Sequence, residues 1–230
     1  MIKKIVFIAV LFFINLSGFC QGNSDFQSRF NTSVDYKLNK KWKFYAEYRY
    51  SLENDLQKFR SSSIQLESKY AITKKLTLTG GYRFTTSFEE DNHRFFASLN
   101  YDYKLNKSFT VALSSKYQYA TNSFDPDFIN EFKQPVEMFR QKIGLELNVP
   151  KSKFSFNTGT EFFLKTNSQP YFKFNRTRYM LGSDYNFKKY GKFGITIFYD
   201  DKYNPIKNDR IVLITKYAFS INDFLKKSKK

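Results

Sequence analysis

The stretch WKFYAEYRYSL, residues 42–52, reads with a period of two. Trp42, Phe44, Ala46, Tyr48, Tyr50 and Leu52 fall on one parity; Lys43, Tyr45, Glu47, Arg49 and Ser51 fall on the other. Alternate residues of a strand point to opposite faces, so the segment predicts a strand with an aromatic and aliphatic face and a polar, charged one. A helix would gather like residues three and four apart, and they are not so gathered here. FFASLNYDYKL (95–105) and FTVALSSKYQY (109–119) repeat the pattern.

Eleven such segments are predicted, near 26–38, 42–52, 60–72, 76–88, 94–105, 109–121, 139–149, 154–165, 176–187, 193–201 and 211–221. An average strand has about five or six residues. These are about twice that, close to the roughly 9–11 residues that a tilted strand needs to cross a bilayer.

Between the segments, two kinds of connection alternate. YKLNK occurs twice, at 36–40 and 103–107, and LNKKW, ITKKL, LNKSF, VPKSKF and KKYGK read as tight turns of Asn, Thr, Pro or Gly with Lys. The other connections are mostly longer: ENDLQKF, EEDNH, TNSFDPDFINEFKQPVE, TNSQPYFKFN and DKYNPIKND. They carry the clustered acids Glu53, Asp55, Glu89, Glu90, Asp91, Asp125, Asp127 and Glu131. The repeating unit is therefore a hairpin plus a loop. Its period of two rules out the paired helices of a solenoid.

The chain has 230 residues, 20% of them aromatic, and a net charge of +17. Lys3 and Lys4 precede an apolar run from Ile5 to Ile14, and Ser17, Gly18, Cys20 and Gln21 follow. That is the layout of a secretory leader, and the run is far shorter than the roughly 20 residues of a spanning helix. Cleavage before Gln21 is expected, leaving residues 21–230 as the folded domain. The only cysteine, Cys20, leaves with the leader, and His93 is the only histidine. A disulfide framework, a thiolate metal site and a multi-histidine site are thereby excluded, and no cofactor is expected. The lysines lie at the repeated turns and at Lys226, Lys227, Lys229 and Lys230 rather than on one element, so no nucleic-acid partner is expected.

In a soluble sandwich the apolar face would turn inward. Here the strands are too long for that, and the short–long alternation is regular. The non-aromatic face also mixes small residues (Ser61, Ser63, Thr77, Thr79, Gly81, Gly144, Gly159) with charges of both signs. The expected fold is all-β: an antiparallel, up-and-down transmembrane barrel of about 10–12 strands, with short periplasmic turns and longer extracellular loops. Tyr36, Tyr70, Tyr103 and Tyr185 stand just before short turns, as an interfacial aromatic ring would. Bacterial barrels usually have an even strand number. Eleven segments therefore suggest an N-terminal stretch threading the lumen, a short extra strand, or one segment outside the wall.

With the polar parity inward, the lumen is lined by Glu47, Arg49, Glu67, Lys69, Arg83, Arg94, Asp102, Lys116, Arg140, Lys142, Glu146, Glu161, Arg176, Arg178 and Asp184, with Arg29, Lys216 and Asp200 on the same face. Buried charges need partners. Salt-bridged clusters are thus expected to narrow or close the passage, and the excess of bases implies a weak anion preference. His93 beside Glu89, Glu90 and Asp91 could be drawn as a catalytic cluster. No serine stands at a diagnostic spacing and no glycine-rich oxyanion turn is visible, so the group reads as a solvated loop, and an enzyme is not expected.

The order DFQSRFNTSVDYKLNKKW, DNHRFFASLNYDYKL, FNRTRYMLGSDYNF and NDRIVLITKYAF resembles the Bacteroidota outer-membrane proteins grouped as domain of unknown function 2490. The resemblance implies an outer-membrane barrel over essentially the whole mature chain and brings no activity or site residues. Three function classes follow: a narrow or occluded envelope barrel with a structural or transport-related role, a narrow anion-preferring solute channel, and a surface enzyme acting on lipid or peptide. Expected partners are outer-membrane lipid and lipopolysaccharide, with the barrel-assembly machinery during insertion. The oligomeric state is left open.

Overall fold

The period-two segments become eleven strands: β1 (Asp25–Lys37), β2 (Trp42–Glu53), β3 (Lys58–Ala71), β4 (Leu76–Thr86), β5 (Asp91–Lys104), β6 (Phe109–Phe124), β7 (Val136–Asn148), β8 (Phe154–Lys165), β9 (Lys173–Asn186), β10 (Lys192–Lys202) and β11 (Arg210–Ser220). The computed structural model describes residues 25–124, 135–167, 173–187, 190–203 and 209–222. The expected leader at 1–20, the loop acids Asp125, Asp127 and Glu131, and the basic tail from Lys226 lie outside the described residues. Strands β5, β7 and β9 begin three residues before the alternation does. The ladder needs only backbone groups, so pairing runs on past the regular alternation.

Each strand pairs with its sequence neighbours, and the sheet closes on itself where β1 meets β11. All sequential pairs are antiparallel, but β1 and β11 run parallel, in register from Asp25↔Arg210 to Asp35↔Ser220. The wall is antiparallel and up-and-down, as expected, except at this one seam. The seam removes the need for a threaded segment, an extra strand or an excluded segment. An odd number of alternating strands leaves the first and last pointing the same way, so only a parallel seam can close it. Parallel pairing is slightly weaker per residue, and side chains reinforce this seam at the short-turn end. Asn222 accepts from Lys37 N (2.6 Å) and donates to Lys37 O (3.0 Å), while Ser220 Oγ donates to Asp35 Oδ1 (3.0 Å).

The repeated YKLNK is now accounted for. Asn39 Oδ1 accepts from Lys41 N and Trp42 N, each at 2.8 Å, and Asn106 Oδ1 accepts from Ser108 N and Phe109 N at the same distance. In the ITKKL turn, Thr73 Oγ1 takes the same role for Lys75 N and Leu76 N. Lysines at these turns lie over tyrosine rings: Lys41 over Tyr70, Lys75 over Tyr103 and Lys153 over Tyr185. Gly191 closes the KKYGK turn at φ 102°, a conformation that disfavours any residue with a Cβ.

The outer face carries a middle band of aliphatics, among them Ile64, Leu66, Leu99, Leu113, Ile143, Leu145, Leu181 and Ile195, all exposed. Exposed aromatics flank the band: Trp42, Phe44, Tyr103, Phe109 and Phe154 toward the short turns; Tyr50, Phe95, Tyr119, Phe174 and Tyr199 toward the long connections. The buried residues are mostly polar and belong to the inner face, including Gln65, Ser98, Gln118, Glu161, Asp184 and Asp200. Three bulges interrupt the ladders, leaving Arg60, Ser123 and Asn175 unopposed, and all three lie near the long-connection end.

Candidate functional site: an arginine-lined chamber

Three phenylalanines, Phe96, Phe163 and Phe198, break the polar rule inside the barrel, and the last two are the most deeply buried. Phe163 on β8 is 1% exposed and Phe198 on β10 is 2% exposed. Both are covered by guanidiniums: Arg140, Arg176 and Arg178 lie 4.5, 4.0 and 5.1 Å from the Phe163 centroid, and Arg178 and Arg29 lie 3.9 and 5.1 Å from that of Phe198. Guanidinium planes stack on aromatic faces with a favourable electrostatic term. The rings therefore act as a floor that holds several cations side by side.

Two carboxylates knit the same region. Asp200 has no solvent exposure; it accepts from Arg178 Nε (2.6 Å) and Nη2 (3.0 Å) and from Arg210 Nε (2.8 Å), with Arg176 Nε 3.7 Å away. Glu161 accepts from Arg140 Nε at 2.9 Å and lies 3.8 Å from Arg178. Arg178 thus joins both acids and both rings.

These arginines form one wall of a cavity of 380 Å³ lined by nine of them: Arg29, Arg49, Arg60, Arg83, Arg94, Arg140, Arg176, Arg178 and Arg210. Lys116, whose ammonium sits 4.4 Å from the Phe96 centroid, is a tenth cation on the lining. Ser51, Ser61, Ser63 and Thr85 supply hydroxyls on the β2–β4 side, and no carboxylate or aromatic ring lines the cavity among the described residues. Toward the long connections a second cavity, of 460 Å³, shares Arg60, Ser61, Thr85 and Arg94 with the first, and adds the acids Glu53, Glu89 and Glu90. A third, of 320 Å³ near the short turns, is lined by Lys142, Glu146, Asp184, Lys192 and Lys216 and shares no residue with the arginine chamber.

The fifteen lumen residues named from the alternation separate into levels. Arg49, Arg83, Arg94, Lys116, Arg140, Arg176 and Arg178 meet at the chamber, with Glu161 behind them. Below it, Glu47 pairs with Arg49 (2.7 Å) and accepts from Tyr45 (2.8 Å), and Glu67 pairs with Lys69 (2.8 Å). Asp184 pairs with Lys192 (3.0 Å) and Lys216 (2.8 Å). Lys142 and Glu146 line the lower cavity, while Asp102 stands exposed near the short turns, apart from the cluster. Simple alternation missed Arg60, Arg210, Phe163 and Phe198. Arg60 has the outward parity on β3, but the bulge beside it turns it into the lumen, where it meets Glu53 at 2.8 Å. Arg210 lies one residue before the predicted strand, and the two rings carry the residue type expected outside.

His93 is elsewhere. Its ring packs on the outward Tyr82 and Phe84, with Tyr82 Oη 2.6 Å from Nδ1 and Ser123 Oγ 2.6 Å from Nε2. No carboxylate is hydrogen-bonded to it among the described residues, and Glu90 instead accepts from Asn122 at 2.6 Å. The acids and the histidine do not converge. The described residues also hold no cluster of three or more potential metal ligands.

No curated protein matches the chain. A solved structure described as a NanC porin in a rhombohedral crystal form is similar, with a TM-score of 0.50 and 15% identity, over 77% of this chain and 87% of that one. At that identity the likeness speaks to the porin-like barrel fold alone. A family model described as "Protein of unknown function (DUF2490)" matches residues 26–210. The chain belongs to that family.

Proposed function

We propose that the protein is an outer-membrane barrel of Bacteroidota type, exported by its leader, whose lumen is a narrow, anion-preferring compartment with a transport-related role. Support for the membrane comes from the wall. Strands of 11–16 residues meet or exceed the length a bilayer demands, the aliphatic band is flanked by aromatics, and the closed ladder leaves no edge unpaired. Outer-membrane lipid and lipopolysaccharide would meet that face, and the barrel-assembly machinery would insert it.

The observation that carries the anion preference is the chamber of nine arginines. Barrels of about 8 strands are filled by side chains, and wide aqueous channels appear at about 16–18. Eleven strands crossed by arginine and lysine side chains leave separate cavities rather than one bore. In planar bilayers under a salt gradient, purified protein should show little steady conductance, with a reversal potential on the anion side. A large, stable, cation-selective pore would overturn the reading. We hold the protein to be no enzyme: among the described residues His93 has no orienting carboxylate, and it serves to pin the Ser123 bulge. His93→Ala should leave lipid and peptide hydrolysis by purified protein indistinguishable from wild type, and a loss of hydrolysis in that variant would refute this.

A further inference from the structure

The chamber is not uniformly neutralised. On the β7–β11 side, Glu161 and Asp200 bind Arg140, Arg176, Arg178 and Arg210. On the β1–β6 side, Arg29, Arg83, Arg94 and Lys116 have no carboxylate within ion-pair distance among the described residues. Arg83 and Arg94 are moreover direct cross-strand partners in the β4–β5 ladder. Like charges placed opposite one another destabilise a sheet. Arg94 Nε and Arg49 Nε are buried and have no hydrogen-bond acceptor. A wall selected for stability alone would put an acid here, as the facing wall does.

We infer that this half of the chamber is a binding site for a compact polyanion, one bearing three or four negative charges on phosphoryl or carboxylate groups. The inference rests on the anion-preferring reading and sharpens it from a charged passage to a saturable site. The charge follows from the four cations left unpaired. The size follows from the cavity, which at 380 Å³ lies near the lower end of the roughly 300–1,000 Å³ usual for small-molecule pockets. Planar guanidiniums favour groups that accept two parallel hydrogen bonds, which both acid types offer. Ser51, Ser61, Ser63 and Thr85 add neutral partners for further oxygens. With no aromatic face and a single aliphatic residue, Ile214, on the lining among the described residues, the site seats no base or apolar tail.

The test is calorimetric titration of folded, detergent-solubilised barrel at fixed ionic strength with two valence series: acetate, succinate and citrate; phosphate, pyrophosphate and tripolyphosphate. Saturable one-to-one binding is expected for citrate, tripolyphosphate or both, at least tenfold tighter than for acetate or phosphate. Which series binds decides between carboxylate and phosphoryl ligands. The double variant Arg83→Gln, Arg94→Gln should lose at least tenfold in affinity, whereas Lys41→Gln at a short turn should lose nothing. Relief of repulsion should leave the ligand-free thermal midpoint of the double variant at or above that of wild type, which a purely structural role for the two arginines would not do. Equal affinity along both series, unchanged binding in the double variant, or a marked fall in its midpoint would each overturn the inference. An anion-side reversal potential without saturable binding would sink the site and leave the anion preference standing; absence of both would sink the two together.

Discussion

Asp200→Asn isolates what holds the carboxylate-bearing half of the chamber together. The carboxylate is fully buried and makes charge-assisted bonds to Arg178 at 2.6 and 3.0 Å and to Arg210 at 2.8 Å, with Arg176 at 3.7 Å. The amide removes the charge, and its nitrogen end turns a donor toward donors. Three guanidiniums then share one neutral oxygen, although Arg178 keeps Glu161 at 3.8 Å. Removing one partner of a buried pair typically costs about 3–5 kcal/mol. The surviving Glu161 contact and water entering the chamber offset part of that, so a loss of about 3 kcal/mol is expected. Urea unfolding in detergent micelles would read it, followed by fluorescence of Trp42, the single tryptophan, and by band position on unheated gels. Asp201→Asn is the control. It is the next residue on the opposite parity, and should change stability by less than about 0.5 kcal/mol. A loss below about 1 kcal/mol for Asp200→Asn would mean that the guanidiniums are already well hydrated, refuting the view that the acid is a required counter-charge.

Leu99, exposed on the outer face, should tolerate arginine poorly: Leu99→Arg should cost about 2–4 kcal/mol in lipid vesicles, whereas Asn100→Arg on the inner face should cost less than half as much, and equal losses would mean the faces are wrongly assigned. Cysteines at Thr32 and Tyr217, register partners across the parallel seam, should oxidise to an intramolecular disulfide in the folded barrel, and Thr32 paired with Leu213 should not; the reverse result would exclude the parallel closure. Asn39→Ala and Asn106→Ala each remove an oxygen that accepts two backbone N–H groups, so each should lower unfolding stability by about 1 kcal/mol. The two turns are separate, and the double variant should show the sum; a null effect would show that the repeated motif is not what sets these turns.

Much of the wall was legible because one physical rule writes it. Period-two alternation fixes strand, face and approximate length at once, and Trp42–Leu52 alone contains the rule. Turn chemistry was legible for the same reason: Asn39 and Asn106 do identical work in identical pentapeptides. The seam was not, because hydrophobic pattern says nothing about which way the first strand meets the last. The chamber was half legible. Parity put Arg49, Arg83, Arg94, Arg140, Arg176 and Arg178 on the inner face, yet nothing local revealed that they converge at one level while Asp184 and Lys192 meet at another. That depends on the stagger of registers around the barrel. Arg60 escaped because a bulge reverses its parity. Phe163 and Phe198 escaped because an aromatic on the polar face gains its reason only when the guanidiniums above it are known.

The two kinds of cation are sorted along the lumen, and their chemistry explains the order. Arginines occupy the half toward the long connections, where Phe163 and Phe198 offer faces to stack on and Asp200 and Glu161 offer carboxylates to fork onto. Most lumen lysines occupy the half toward the short turns, where Lys43, Lys69, Lys192 and Lys216 each meet an acid as a point charge; Lys116 in the chamber and Lys58 in the outer cavity are exceptions. A guanidinium is weakly hydrated and planar, so it can be packed against rings and other guanidiniums at modest desolvation cost; an ammonium is strongly hydrated and needs water or an acid beside it. Exchanging the two sets would strand ammoniums against the rings and leave guanidinium forks over single carboxylates. The concentration of unpaired positive charge beneath the acid-bearing outer cavity is therefore achieved mainly with the cation that best tolerates such crowding, three guanidiniums to the one ammonium of Lys116. It places the cluster of cations without carboxylate partners inside the lumen, adjoining the cavity that opens toward the long connections.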